Sequence, residues 1–111
     1  MPRDFRLYLE DVIEAIAKIR RYTAGLSFHQ FAEDEKAVDA VVRNLEVIGE
    51  AVKRIPEDMR KKHAGIDWRK IAGLRDILIH EYFGIDVEII WDIVQNKLPS
   101  LDASIHSMLT G

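Results

Sequence analysis

The sequence predicts an all-α fold: an up-and-down bundle of four to five helices, formed by residues 1–111 as one domain. Three observations carry that expectation. Apolar residues recur at intervals of three and four along the chain, the period of a helix that buries one face. No Asn-Gly or Asp-Gly dipeptide marks a hairpin turn. Glycine and proline stand singly between the periodic stretches, as turn punctuation and not as linkers.

The first helix is expected from about Asp4 to Tyr22, with Phe5, Tyr8, Leu9, Val12, Ile13, Ile16 and Ile19 on one face and Gly25 as its terminator. A short turn follows, in which Ser27-Phe28-His29-Gln30 has capping-box spacing. A second long helix starts near Asp34. Its Val38, Val41, Leu45, Ile48, Val52 and Ile55 are spaced as a heptad seam, which predicts packing against a helix of this chain or of a second copy. Arg43, Glu46 and Glu50 fall on its flanks, where inter-helix ion pairs are the ordinary expectation. Pro56 closes this helix, or opens a short one through Arg60 that ends at Gly65. Asp67 then caps the next helix, with Ile66 and Ile71 as a hydrophobic staple and Ile71, Leu74, Leu78 and, less squarely, Ile77 as its buried stripe. Past Gly84, Asp86 caps the last long helix, with Ile85 and Ile90 as a second staple. Ile89, Ile90, Trp91, Ile93, Val94 and Leu98 carry its apolar face. Pro99 kinks or restarts it before Leu101, Ile105, Met108 and Leu109.

Composition narrows the function classes. Hydrophobic residues make up 48% of the chain and charged residues 32%, a globular balance and not a disordered one. No apolar run approaches the ~20 residues of a membrane helix, and the first residues lack the apolar core of a signal peptide, so a cytoplasmic protein without membrane contact is expected. The absence of cysteine excludes disulfides, thiolate metal sites and a cysteine nucleophile. His29, His63, His80 and His106 are scattered, with neither a His-Glu-x-x-His nor a Glu-x-x-His pattern. Phosphate loops, dinucleotide fingerprints and nucleophile elbows are missing too, so no cofactor is expected. The net charge of −3 hides an asymmetry: residues 53–75 hold eight Lys/Arg against three acids, which leaves −8 for the rest. A basic stretch of that kind suits a phosphate backbone, or is simply a solvated surface.

Chemistry concentrates in Arg75-Asp76-Ile77-Leu78-Ile79-His80-Glu81-Tyr82. Arg75 is a permanent cation whose planar fork fits phosphate, and His80 can take or give a proton near neutral pH. Asp76 and His80 are one helical turn apart, so the carboxylate can orient the imidazole. The same residues would also make an ordinary solvated face of i, i+4 pairs. A metal-free Arg/His site suits RNA cleavage by the substrate's own 2′-hydroxyl. One histidine per chain falls short of a separate acid and base, and a two-fold dimer would supply the second. Residues five apart point about 140° apart on an ideal helix, so Arg75 and His80 converge only where the helix ends or bends.

Arg75-x4-His80-x-Tyr82 resembles the signature of HepT-like proteins of the HEPN superfamily. Arg43-Asn44-Leu45-Glu46-Val47-Ile48-Gly49-Glu50-Ala51, Trp68-Arg69-Lys70-Ile71-Ala72-Gly73-Leu74, Tyr82-Phe83-Gly84-Ile85-Asp86 and Trp91-Asp92-Ile93 agree with it, so the similarity spans nearly the whole chain. The resemblance implies a homodimeric ribonuclease toxin paired with a minimal nucleotidyltransferase antitoxin of the MntA type. It implies Arg75 and His80 as the catalytic pair, Asp76 as the polar residue beside them and Tyr82 as the acceptor of AMP groups from the antitoxin. Two other readings remain: a non-catalytic nucleotide-binding or adaptor subunit for a nucleotidyltransferase, and a helical interaction module whose seam is its whole function. Trp68 and Trp91 are expected as core or interface anchors, Lys61 and Lys62 as solvated side chains and His63 as a helix-terminus cation.

Overall fold

In the computed structural model, which describes residues 4–74, 76, 78 and 86–110, every regular element is helical. Asp4 opens α1 (Phe5–Thr23) by accepting a hydrogen bond from the Arg6 amide. Leu9, Val12, Ala15, Ile16 and Ile19 are buried along its inner face. Thr23 closes it by donating its hydroxyl hydrogen to the Ile19 carbonyl at 2.9 Å. Gly25 turns the chain at φ +76°, a left-handed conformation that costs a residue with a Cβ about 1 kcal/mol or more.

The Ser27 capping box forms in both directions: the Gln30 amide donates to Ser27 Oγ at 3.1 Å, and the Ser27 amide to Gln30 Oε1 at 2.9 Å. It starts a full helix, α2 (Phe28–Glu33), where a turn was expected. The reason is Phe31, whose side chain is entirely buried in the core and holds the short segment down. Asp34 closes α2 through its own amide and opens α3 (Glu35–Val52) by accepting from the Ala37 amide at 3.1 Å.

α3 packs chiefly against α1 of the same chain, and α2 also rests on it. Its buried face is wider than a heptad seam. Ala37, Val41, Asn44, Leu45, Ile48, Ala51 and Val52 are all buried, while Val38 is only half-buried. Asn44 is tolerated there because its amide nitrogen donates to the Ala40 carbonyl at 2.8 Å.

Pro56 opens the short α4 (Glu57–Lys61), and Asp67 opens α5 (Trp68–Ala72) by accepting from the Lys70 amide at 3.1 Å. Trp68 joins the two. Its indole Nε1–H is shared between the Arg60 and His63 carbonyls, each at 3.0 Å, while its ring packs in the core. Ile66 and Ile71, the expected staple, are both half-buried against that core. α5 rests on α3 and stops at Gly73, before helix resumes at Leu74, Asp76 and Leu78. The helix expected to run unbroken from Asp67 therefore has a turn at Gly73.

Asp86 caps α6 (Val87–Asp92), accepting from the Glu88 amide at 2.9 Å. Ile85, the other half of the expected second staple, lies outside the described residues. A π-helical turn, Ile93–Lys97, leads directly into α7 (Leu98–Thr110). This turn settles the open question at Pro99. In a regular helix the proline ring would press on the Gln95 carbonyl, and the wider turn just before it, closed by the Leu98 amide donating to the Ile93 carbonyl, relieves that crowding. α7 buries Leu98, Leu101, Ile105 and Met108 and packs on α1. No helix among the described residues is long and apolar enough to cross a membrane.

Two stability outcomes follow. Phe31→Ala should lower unfolding free energy by about 3–5 kcal/mol, the usual cost of emptying a buried aromatic site, read by chemical denaturation. Trp68→Phe keeps the ring but removes the shared donor, and should cost about 1–2 kcal/mol in the same measurement.

Candidate active site and its surroundings

The chain that leads into residue 75 is held by its neighbours. α5 is fixed to α3 and, through Trp68, to the end of α4. Beyond Gly73, Leu74 and Leu78 are buried at 6% and 7% exposure. Four residues apart, they lie on one helix face, and both belong to the core. Asp76, two positions from each, is helical and exposed, as a residue about 200° around the helix from each leucine must be. Of the four candidate site residues, Asp76 alone lies among the described residues; Arg75, His80 and Tyr82 lie outside them.

A concave feature lies along the α1–α3 seam. Tyr8 and Asp11 of α1 face Arg43, Glu46, Val47 and Glu50 of α3, and with Ala51 and Arg54 they enclose a groove of about 450 Å³. An opening of about 400 Å³ continues it past Lys18, Tyr22 and Asn44. The charge here is mixed, with carboxylates at Asp11, Glu46 and Glu50 set against two arginines. Such a lining is poorly suited to a polyanion. Glu50 also reaches Lys53, at 3.5 Å, a pair formed within the end of one helix and not between helices.

The remaining candidates resolve individually. Trp68 is a buried anchor, as expected. Trp91 is half-buried and stacks in a small aromatic cluster, with its centroid 5.1 Å from Phe31 and 6.2 Å from Phe28. The sequence reading missed this cluster, although Phe28 and Phe31, three apart beside a capping box, were its signal. His63 contributes its backbone carbonyl to Trp68. Lys61 and Lys62 are exposed. His29 and His106 pair with carboxylates one helical turn away, Glu33 at 3.2 Å and Asp102 at 3.4 Å.

Comparison with known proteins identifies the family. A family model described as "Ribonuclease HepT-like" matches residues 12–108. "Putative RNase MJ0127" of Methanocaldococcus jannaschii is 50% identical over 101 residues, covering 90% of this chain and 84% of its own. "Probable ribonuclease HepT" of Thermococcus cleftensis is 44% identical, covering 97% of this chain and 98% of its own. "Putative RNase TTE0752" of Caldanaerobacter subterraneus subsp. tengcongensis is 41% identical, with 94% and 93% covered. No solved structure matches significantly. The family model over residues 12–108 and these relatives show that the chain belongs to the HepT-like ribonuclease family.

Proposed function

We propose that this protein is a metal-independent RNA endonuclease, the toxin of a toxin–antitoxin pair, working as a homodimer in which each protomer contributes Arg75 and His80 to a shared cleft. The observation that carries this reading is the Arg75-x4-His80-x-Tyr82 pattern, intact within a family match that covers residues 12–108. In the reaction, one His80 imidazole takes the proton of a ribose 2′-hydroxyl, and the 2′-oxygen attacks the adjacent phosphorus. The bond from phosphorus to the 5′-oxygen breaks, and the second His80, protonated, gives its proton to that oxygen. The products are a 2′,3′-cyclic phosphate and a free 5′-hydroxyl. Arg75 offsets the charge that develops on the non-bridging oxygens. Asp76, helical and exposed beside two buried leucines, supports a role in orienting His80 from one turn away. Tyr82 is the acceptor for AMP groups transferred by a nucleotidyltransferase antitoxin. Each AMP adds a phosphodiester charge and bulk near Arg75, competing with RNA for the same cation.

Arg75→Ala and His80→Ala should each reduce RNA cleavage by about 10²-fold or more and relieve growth inhibition, with the helical circular dichroism unchanged. Cleavage that survives both substitutions, or that is lost only through unfolding, overturns the assignment. Tyr82→Phe should stay toxic when the antitoxin is co-expressed and gain no AMP by mass spectrometry; AMP on another residue of that variant would refute Tyr82 as the acceptor. Asp76→Asn should change stability by less than about 0.5 kcal/mol, as expected at an exposed site, while slowing cleavage.

A further inference from the structure

Unbalanced positive charge among the described residues gathers where α4 meets α5. Lys61 and Lys62 stand at the end of α4, Arg69 and Lys70 in the first turn of α5, and all four are exposed. The Trp68 indole holds the two segments together through the Arg60 and His63 carbonyls, so the cations sit on a fixed junction and not on a loose loop. Among the described residues, Lys62, Arg69 and Lys70 make no ion pair. Lys61 meets Glu57 at 3.8 Å, with both side chains more than 70% exposed, a pairing worth little in water. Of the nearby acids, Asp67 is engaged in capping the Lys70 amide, and Glu57 and Asp58 lie in the first turn of α4, where the helix dipole favours them. Beside them the buried Nε of Arg60 has no hydrogen-bond partner among the described residues.

We propose that the α4–α5 junction is a docking face for the phosphate backbone of single-stranded RNA, with Lys61, Lys62, Arg69 and Lys70 as positioning residues that lead the strand to Arg75 and His80. The inference rests on the ribonuclease reading and names the surface that reading needs. Proximity is guaranteed by the chain itself: five residues span at most about 18 Å even fully extended, so Lys70 cannot be far from Arg75. An acidic protein is the less suitable occupant. The buried centre of a protein interface is more apolar than its rim, and the exposed large hydrophobic side chains among the described residues (Leu7, Tyr22, Phe28, Val47 and Ile89) all lie outside residues 53–70. Phosphates need only cations, and these explain how a chain of net charge −3 holds a polyanion.

The test measures binding of a fluorescent single-stranded RNA by the full chain across a salt series, in a His80→Ala background to prevent cleavage, with cleavage by the unaltered protein assayed in parallel. Arg69→Gln/Lys70→Gln and Lys61→Gln/Lys62→Gln should each weaken binding several-fold whatever the RNA sequence. Each should also make the plot of log K against log salt shallower by about 1.4, at about 0.7 per lost phosphate contact. Lys18→Gln/Lys36→Gln, on α1 and α3, should change neither quantity. Unaltered affinity and slope in the folded junction variants, with cleavage by the parent protein intact, overturn the docking face and leave the ribonuclease reading standing. Junction variants that bind RNA normally but lose a nucleotidyltransferase partner also overturn it, and assign the surface to that protein. A parent protein that neither binds nor cuts RNA overturns the ribonuclease reading itself.

Discussion

Burial of α3 against α1 is the contact on which the other elements depend. Leu45, Ile48, Val41 and Val52 meet Leu9, Val12, Ile16 and Ile19 in a core from which water is excluded, and this apolar contact supplies the main cohesive force available to a chain of this size. α2 and α5 use α3 as their platform, and α7 uses α1. None of the short helices, at five or six residues each, would be stable alone. α2, α5 and α6 are held because Phe31, Trp68 and Ile90 each reach into the core, and Trp68 ties down α4 through the Arg60 carbonyl. The stretch that leads to Arg75 therefore takes its position from a helix about thirty residues upstream.

Charge is organised as deliberately as apolarity. The α1–α3 groove mixes signs, and the α4–α5 junction is cationic. An acidic whole with a confined basic surface keeps non-specific attraction to nucleic acid low while letting one approach be favourable. For a ribonuclease, such restraint confines binding to one approach.

Much of the fold was legible in the sequence because its decisive signals are local. Asp4, Ser27, Asp34, Asp67 and Asp86 each cap the helix that follows them, and a cap is written within four residues. What could not be read depends on neighbours distant in sequence. Phe31 sits in too short a segment to show periodicity, and only its burial reveals it as core. The apparent heptad of α3 belongs to a broader stripe because three other helices share that face. Gly73 interrupts a pattern whose apolar positions, Ile71, Leu74 and Leu78, are helical on both sides. At the candidate site, Arg75, His80 and Tyr82 were legible as a motif and Asp76 as its exposed neighbour. The proposed convergence of Arg75 and His80 from two copies would be a property of two chains, which one sequence cannot spell out.

The π-helical turn before Pro99 has a consequence for how the last helix pair keeps its inner side aligned. Ile90, Val94 and Leu98 are buried at successive intervals of four. In a regular helix eight residues rotate about 800°, leaving Leu98 some 80° astray of Ile90, whereas seven would fall within about 20°. The slacker winding absorbs the surplus residue and brings Leu98 back into phase, so that α7 meets α1 with its leucines inward. The turn is thus equivalent to a one-residue insertion accommodated without rotating the helix beyond it. Excising a single residue between 93 and 97 would leave an ordinary helix in register, and only the proline ring would then lack room.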